Sequence, residues 1–395
     1  GSLMPYFLTV RNGGTKALEN VQHGNEKVLR ARLDDAKFFF ENDRKKTLEG
    51  HRDDLTRINY QEGMGDMRDK ADRLQKLTEA IGKDWDFTAE EAADADRAAF
   101  LSKSDLATGM VTEFTELQGE MGKEYALLDG EKPEVAQAIF EQYMPRFAGD
   151  ILPQQEIGRA LSLADKLDNL AATFLRGLIP TGSQDPFALR RQTIGAVNIL
   201  TDGKIHWDIR RGIEAALALL PGDEETKKTV LSQIEDFFRQ RIKAIMLDEG
   251  IAYDIIDAVL AGPVDDIYAL FLKARSMAES HLKGEAELRQ AVTRLANITK
   301  GKAGGKVDPS LFTEDVEKKL QDAFEAVSAK ALPLFASYEY GKALPALKEL
   351  TAPINDYLDN VMVMVDDEAV KNNRISQLLA TLALFNTWGD FSKLV

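Results

Sequence analysis

Lys70, Lys103 and Asp165 are the residues whose types and spacing could assemble chemistry. Lys70 follows Met67 by three positions and precedes Leu74 by four, so a helix puts the three on one face. Lys103 stands four after Ala99 and three before Leu106, and Asp165 stands four after Leu161, so each charge shares a side with apolar neighbours. Two arrangements satisfy this spacing. Either the lysine stems lie along the core while their ends reach water, or two ammonium groups flank a carboxylate in a polar pocket. A lysine protonated at neutral pH has no lone pair to offer, so such a set cannot build a metal cage of oxygen and nitrogen ligands. The sequence holds no cysteine, which excludes disulfides, thiolate zinc sites and a cysteine nucleophile. Histidine occurs only at His23, His51, His206 and His281, and no Gly-rich phosphate loop, H-E-x-x-H or Cys-His cluster is present.

The elements that must position these residues read as helices. Met67, Ala71, Leu74, Leu77 and Ile81 recur at three- and four-residue steps, as do Ala99, Leu106 and Met110, and Ile157, Leu161, Ala164, Leu167, Ala171 and Phe174. Asp34 is the expected N-cap of an earlier helix carrying Phe38, Phe39 and Phe40. Residues 180–183 break the pattern, and Asp185 with Pro186 is the expected start of a helix through Arg190 and Arg191 to about Leu200. Turns are expected at residues 202–204 and at Pro221 and Gly222, with further helix breaks at Gly250, at Gly262 and Pro263, and at Gly284. A loop is expected at Gly301 to Lys306. The one β signal is the alternation Tyr6 to Val10, ending in a turn at Arg11 to Gly14. Gly1 and Ser2 read as a cloning remnant, and the chain reads as a piece cut from a longer one.

The 395 residues are 44% hydrophobic, enough for ordinary cores in two or three domains, and no apolar run reaches the length that spans a bilayer. A formal charge of −15 argues against a nucleic-acid partner on average. Local patches decide that question within a Debye length, however. Arg289, Arg294, Lys300, Lys302 and Lys306 cluster between residues 287 and 306, whereas 308–325 and 356–368 lean acidic. Trp85, Trp207 and Trp388 read as core or interface rather than base-stacking platforms.

Two resemblances follow from these segments. Asp69-Lys-Ala-Asp-Arg-Leu74, Ala98-Ala-Phe-Leu-Ser-Lys103 and Leu163-Ala-Asp-Lys-Leu-Asp168 resemble the helices that carry the metal ligands of HD-type phosphohydrolases. In that family a histidine, a His-Asp pair and a final aspartate hold a divalent ion that activates water. Here Lys70 stands for the first histidine, Ser102 and Lys103 replace the pair, and only Asp165 matches. The resemblance implies a degenerate pocket of Lys70, Ser102, Lys103 and Asp165, with no metal and no activated hydroxide.

The second resemblance is carried by Ser104 to Gly122, by Leu163 to Asp168, and by Ile179-Pro-Thr-Gly-Ser-Gln-Asp-Pro-Phe-Ala-Leu-Arg-Arg191. Gly24 to Phe39, Val361 to Asp367, Asn373, Arg374 and Asp390 to Leu394 extend it over essentially the whole chain. These segments are similar to the β subunit of bacterial-type glycyl-tRNA synthetases. The resemblance implies an all-α protein: residues 1–50 the tail of a truncated N-terminal domain, 51–220 a degenerate HD-like bundle, and 221–395 a DALR-type anticodon-binding domain. It further implies a cytoplasmic, non-catalytic, tRNA-binding part of glycine–tRNA ligase, with no cofactor of its own. Glycine activation with ATP and magnesium would belong to a separate α subunit, in a tetramer of two α and two β subunits acting on tRNA(Gly). Arg289, Arg294, Lys300, Lys302, Lys306 and Arg374 are the cations expected to meet RNA. Arg190 and Arg191 either pair with bundle acids or touch tRNA. A structural assembly module with little RNA contact and an HD-type hydrolase are the competing readings.

Overall fold

The computed structural model describes residues 4–182, 184–280 and 282–395; Gly1 and Ser2, read as a cloning remnant, and Ser183, within the expected helix break, lie outside them. The described chain is a succession of helices. The first are α1 (Leu18–Asp43), α2 (Leu48–His51), α3 (Met67–Asp84), α4 (Ala89–Leu101), α5 (Gly109–Glu113), α6 (Glu120–Leu128) and α7 (Pro133–Glu141). Then come α8 (Glu156–Leu175), α9 (Leu189–Asp202), α10 (Ile209–Ala218), α11 (Glu224–Asp248), α12 (Tyr253–Val259) and α13 (Ile267–Glu279). The chain closes with α14 (Ala286–Thr299), α15 (Asp315–Ala336), α16 (Leu344–Lys348), α17 (Thr351–Asn360) and α18 (Glu368–Asn386).

α8 is the axis of the first bundle, packing against α3, α4, α7, α9, α10 and α11. Its sequence explains this position, because apolar residues occur all round the helix, and such a helix must be buried. Ile157, Leu161, Ala164, Leu167, Ala171 and Phe174 are all core, as are Ala160, Leu163, Leu170 and Ala172 on other faces. Small residues let neighbours approach closely: a Cβ at Gly212 of α10 would lie 2.2 Å from Trp207 and 2.8 Å from Leu167. α3 starts where Asp66 accepts from the backbone N–H groups of Arg68 and Asp69, while Asp69 returns the bond to Asp66. Thr88 and Glu91 form the same reciprocal cap on α4.

Three sequence expectations change. Residues 4–14 form no strand; they run exposed, with no neighbouring strand among the described residues to complete a ladder. Asp34 is not a cap but lies inside α1, which begins sixteen residues earlier at Leu18. Most of that helix is exposed, so it lacks the one-sided apolar stripe that marks a helix in sequence. Asp185 does cap α9, accepting from Leu189 N and Arg190 N, but Pro186 stays in the preceding turn and Ala188 is the N-cap residue.

The expected turn at Pro221 and Gly222 separates α10 from α11, and α11 packs back onto α8, α9 and α10. Val230, Leu231, Ile234, Phe237, Phe238 and Ile242 bury there, so the core runs on through this turn. Beyond it, α14, α15, α17 and α18 pack together, and α13 joins them to the bundle through α9. His206 fastens the same junction: its ring stacks on Tyr338 with centroids 3.6 Å apart, and its Nδ1 lies 2.7 Å from Asp266 Oδ2.

Candidate functional site

Lys70, Lys103 and Asp165 meet inside the first bundle. Lys70 sits on the buried face of α3 between Met67 and Leu74, and its Nζ lies 2.9 Å from Asp165 Oδ1 and 2.8 Å from Asp168 Oδ2 on α8. Lys103 Nζ lies 3.0 Å from Asp165 Oδ2. Its route there is not helical. α4 stops at Leu101, and Lys103 takes a left-handed backbone, φ 67°, so that Ala99, Leu106 and Met110 belong to three successive elements rather than one stripe. Ser102 stays out of the cluster, donating its hydroxyl to Ala99 O at 2.6 Å at the end of its own helix.

Four further residues complete the network. Arg73, one turn after Lys70, donates from Nε to Asp168 Oδ1 at 2.6 Å. Lys70 and the Tyr60 hydroxyl each donate to Asn169 Oδ1 at 2.8 Å. Lys103 also lies over the Tyr143 ring, 4.0 Å from its centroid. Asp168 and Arg73 were visible in the sequence as i+3 partners of Asp165 and Lys70; Tyr60 and Asn169 carried no such signal.

The electrostatics follow from burial and pairing. Burial acts against the Lys70 charge, but the Asp165 and Asp168 carboxylates outweigh it and raise the ammonium above the ordinary lysine value. Burial likewise opposes the Asp165 charge, yet Lys103 and Lys70 hold that carboxyl well below the usual range. Lys103 is lowered, chiefly by burial, with Asp165 opposing and Lys70 adding to the effect. Next to them Lys166 forms no ion pair among the described residues; its Nζ donates to Met144 O at 2.6 Å and Ser162 Oγ at 2.7 Å, and burial, against the pull of the Asp165 charge, pushes it down to about 7.

This arrangement joins three elements but cannot host the chemistry of an HD centre. Both oxygens of Asp165 face ammonium groups, and a divalent ion would have to displace two fixed positive charges. The residues do not fit the ion that the HD resemblance implies. Among the described residues, no group of three or more His, Asp or Glu side chains could hold a metal. What the cluster can do is fix the register of α3, the turn after α4, and α8, because a shifted pairing would strand a buried charge.

The cations expected to face RNA separate into three kinds. Lys300, Lys302 and Lys306 are exposed on the loop after α14 and form no ion pair among the described residues. Arg294 is partly engaged, donating to Asn355 Oδ1 at 3.0 Å and to Asp359 Oδ1, and Arg289 donates to Leu394 O at 3.1 Å. Arg374 is corrected to a structural role. It is 4% exposed, its Nε lies 2.9 Å from Glu317 Oε1, and its other donors go to Met362 O and Thr313 Oγ1. All three guanidinium nitrogens are engaged within the protein, and the group is buried away from a phosphate. Arg190 donates to Gly182 O, Arg191 is exposed, and both border a cleft on the bundle. Trp388 and Trp207 are buried, and Trp85 packs edge-on against Trp207.

The helical unit that carries the lysine loop matches the DALR anticodon-binding domain over residues 288–389, which sets the chain among proteins with a helical tRNA-anticodon module. The preceding bundle matches the family described as glycyl-tRNA synthetase beta subunit over residues 1–261. The chain is 44% identical over 396 residues to the glycine–tRNA ligase beta subunit of Clostridioides difficile, covering 100% of this chain and 57% of that protein. With the corresponding proteins of Desulforamulus reducens and Shouchella clausii it shares 41% identity, over 100% of this chain and 57% and 58% of theirs. The chain belongs to the glycyl-tRNA synthetase beta-subunit family. It spans little more than half the length of these relatives. No helix among the described residues is long and apolar enough to cross a membrane.

Proposed function

We propose that this chain is the tRNA-binding, non-catalytic part of a glycine–tRNA ligase β subunit, acting in the cytoplasm beside an α subunit that uses ATP and magnesium to charge tRNA(Gly). The observation that carries this reading is the loop of Lys300, Lys302 and Lys306, exposed and without ion pairs among the described residues, inside the segment that matches an anticodon-binding domain. Anticodon bases are unstacked, so a protein can read them while cations hold the adjacent phosphates. The buried cluster of Lys70, Lys103, Asp165 and Asp168 in the bundle is closed on itself, which speaks against the hydrolase reading. A net charge of −15 is compatible with this role because the lysines are gathered on one loop.

The test is titration with tRNA(Gly), and with the same tRNA carrying a replaced anticodon, at two salt concentrations. Binding should weaken with salt, and K300A/K302A/K306A should weaken it further and flatten the log–log slope by about 0.7 for each phosphate that is no longer neutralised. No tRNA binding, or binding indifferent to salt, would overturn the reading in favour of an assembly module that holds α and β subunits together.

A further inference from the structure

A cleft of about 560 Å³ opens between the α7–α8 connection and α9, on the bundle rather than on the anticodon-binding unit. Pro145, Phe147, Leu152 and Ile194 give it an apolar wall, and Arg190 and Arg191 stand at its border. Phe147 is 54% exposed, a large ring left at the mouth of the cleft. The two acids in the lining are already engaged. Asp150 accepts from the backbone and side chain of Arg146, and Asp185 accepts from the first N–H groups of α9.

Positive charge there is not balanced. None of Arg190, Arg191 and Arg241 forms an ion pair among the described residues. Arg241 of α11 lies 4.6 Å from the Phe237 ring centroid, and its Nε is buried with no hydrogen-bond partner. Burial and the neighbouring Arg190 charge both hold Arg241 below the ordinary guanidinium value, while Asp185 acts the other way. Like charges gathered in a partly desolvated corner are unfavourable until an anion arrives. Guanidinium groups meet phosphate in a bidentate fork.

We infer that this cleft holds one unstacked nucleotide of a bound RNA, its base against Phe147 and its phosphate on Arg191 and the corner formed by Arg190 and Arg241. A nucleotide supplies in one residue both things the cleft lacks, a flat apolar partner for an exposed ring and an anion for unpaired arginines. An acidic protein segment would supply them only by presenting two different side chains at once. The inference rests on the RNA-binding reading and adds a second point of attachment, on a different element from the lysine loop.

The test compares tRNA(Gly) binding to the 395-residue chain, to F147A, F147L and R191A, and to the lysine-loop triple variant, with α-subunit binding measured in parallel. Phe147 and Arg191 are exposed, so the variants should melt with the parent protein. F147A and R191A should each weaken tRNA binding about fivefold to tenfold, F147L should fall as far as F147A because a leucine cannot stack, and R191A should lower the salt slope by about 0.7. If the parent binds no tRNA, the general reading fails and this inference with it. If the lysine-loop variant weakens binding while F147A and R191A match the parent, only the cleft assignment is overturned. Loss of α-subunit affinity with unchanged tRNA binding also overturns it, and marks the cleft as a protein-docking surface.

Discussion

Lys103 reaches Asp165 through a left-handed turn: at φ 67° the chain leaves α4 and delivers Nζ to 3.0 Å from Asp165 Oδ2. Such a backbone costs a non-glycine residue about 1–2 kcal/mol. The buried pairing offsets that cost, because an unpaired charge at 3% exposure would be far more expensive.

Asp165→Asn should therefore destabilise the protein by about 3–5 kcal/mol, since two ammonium groups lose a buried carboxylate. Asp322→Asn, on the exposed face of α15, should change stability by no more than about 0.5 kcal/mol. Urea unfolding of both variants checks this; equal midpoints would mean that the cluster contributes nothing.

Lys166 should shape the pH dependence of stability. Its folded value, about 7, lies below the unfolded lysine value of about 10.4. Between these two, the unfolded chain holds more protons, so the lysine's penalty is full below pH 7 and is relieved as pH rises toward 10. Subtracting the stability curve of Lys166→Met from that of the parent should leave a rise of a few kcal/mol across that window. A flat difference curve would show that Lys166 keeps an ordinary affinity for its proton.

Arg374→Ala should behave as a stability variant and not as an RNA variant. It strands Glu317, whose side chain is wholly buried, and should cost about 3–5 kcal/mol. At a temperature where the variant stays folded, its tRNA salt slope should equal the parent's. A slope lowered by the equivalent of one phosphate would return Arg374 to the RNA surface.

Gly212→Ala tests the close approach of α10 to α8. The added methyl would overlap the Trp207 ring and Leu167, so a loss of about 1–3 kcal/mol is expected in thermal or chemical unfolding. Gly284→Ala, with open space around it, is the comparison.

The all-helical class and the central helix were legible because α8 repeats apolar residues at helical spacing through twenty positions. Lys70 and Asp165 were legible for the same reason, each sharing a face with neighbours that had to be buried. The path of Lys103 was not, since spacing alone cannot distinguish a helix from a helix end followed by a left-handed turn. Ser102 entered the expected pocket only by resemblance, and in the structure its hydroxyl serves the end of its own helix. The arginines show a different limit. Arg191 and Arg374 look alike in sequence, and only the placement of Glu317, fifty-seven positions before Arg374, tells a buried clamp from an open cation.

The packing of α11 on α8 and α9 has a consequence for any attempt to divide the polypeptide. A fragment beginning at Pro221 would carry Ile234, Phe237, Phe238 and Ile242 into water, and the remaining bundle would lose the cover over Phe174. Both halves would be sticky. A cut in the exposed turn at Gly262 and Pro263 keeps that wall with its own interior, but it parts α12 from α13 and from the closing segment, where Asp390 N donates to Ala258 O at 2.9 Å.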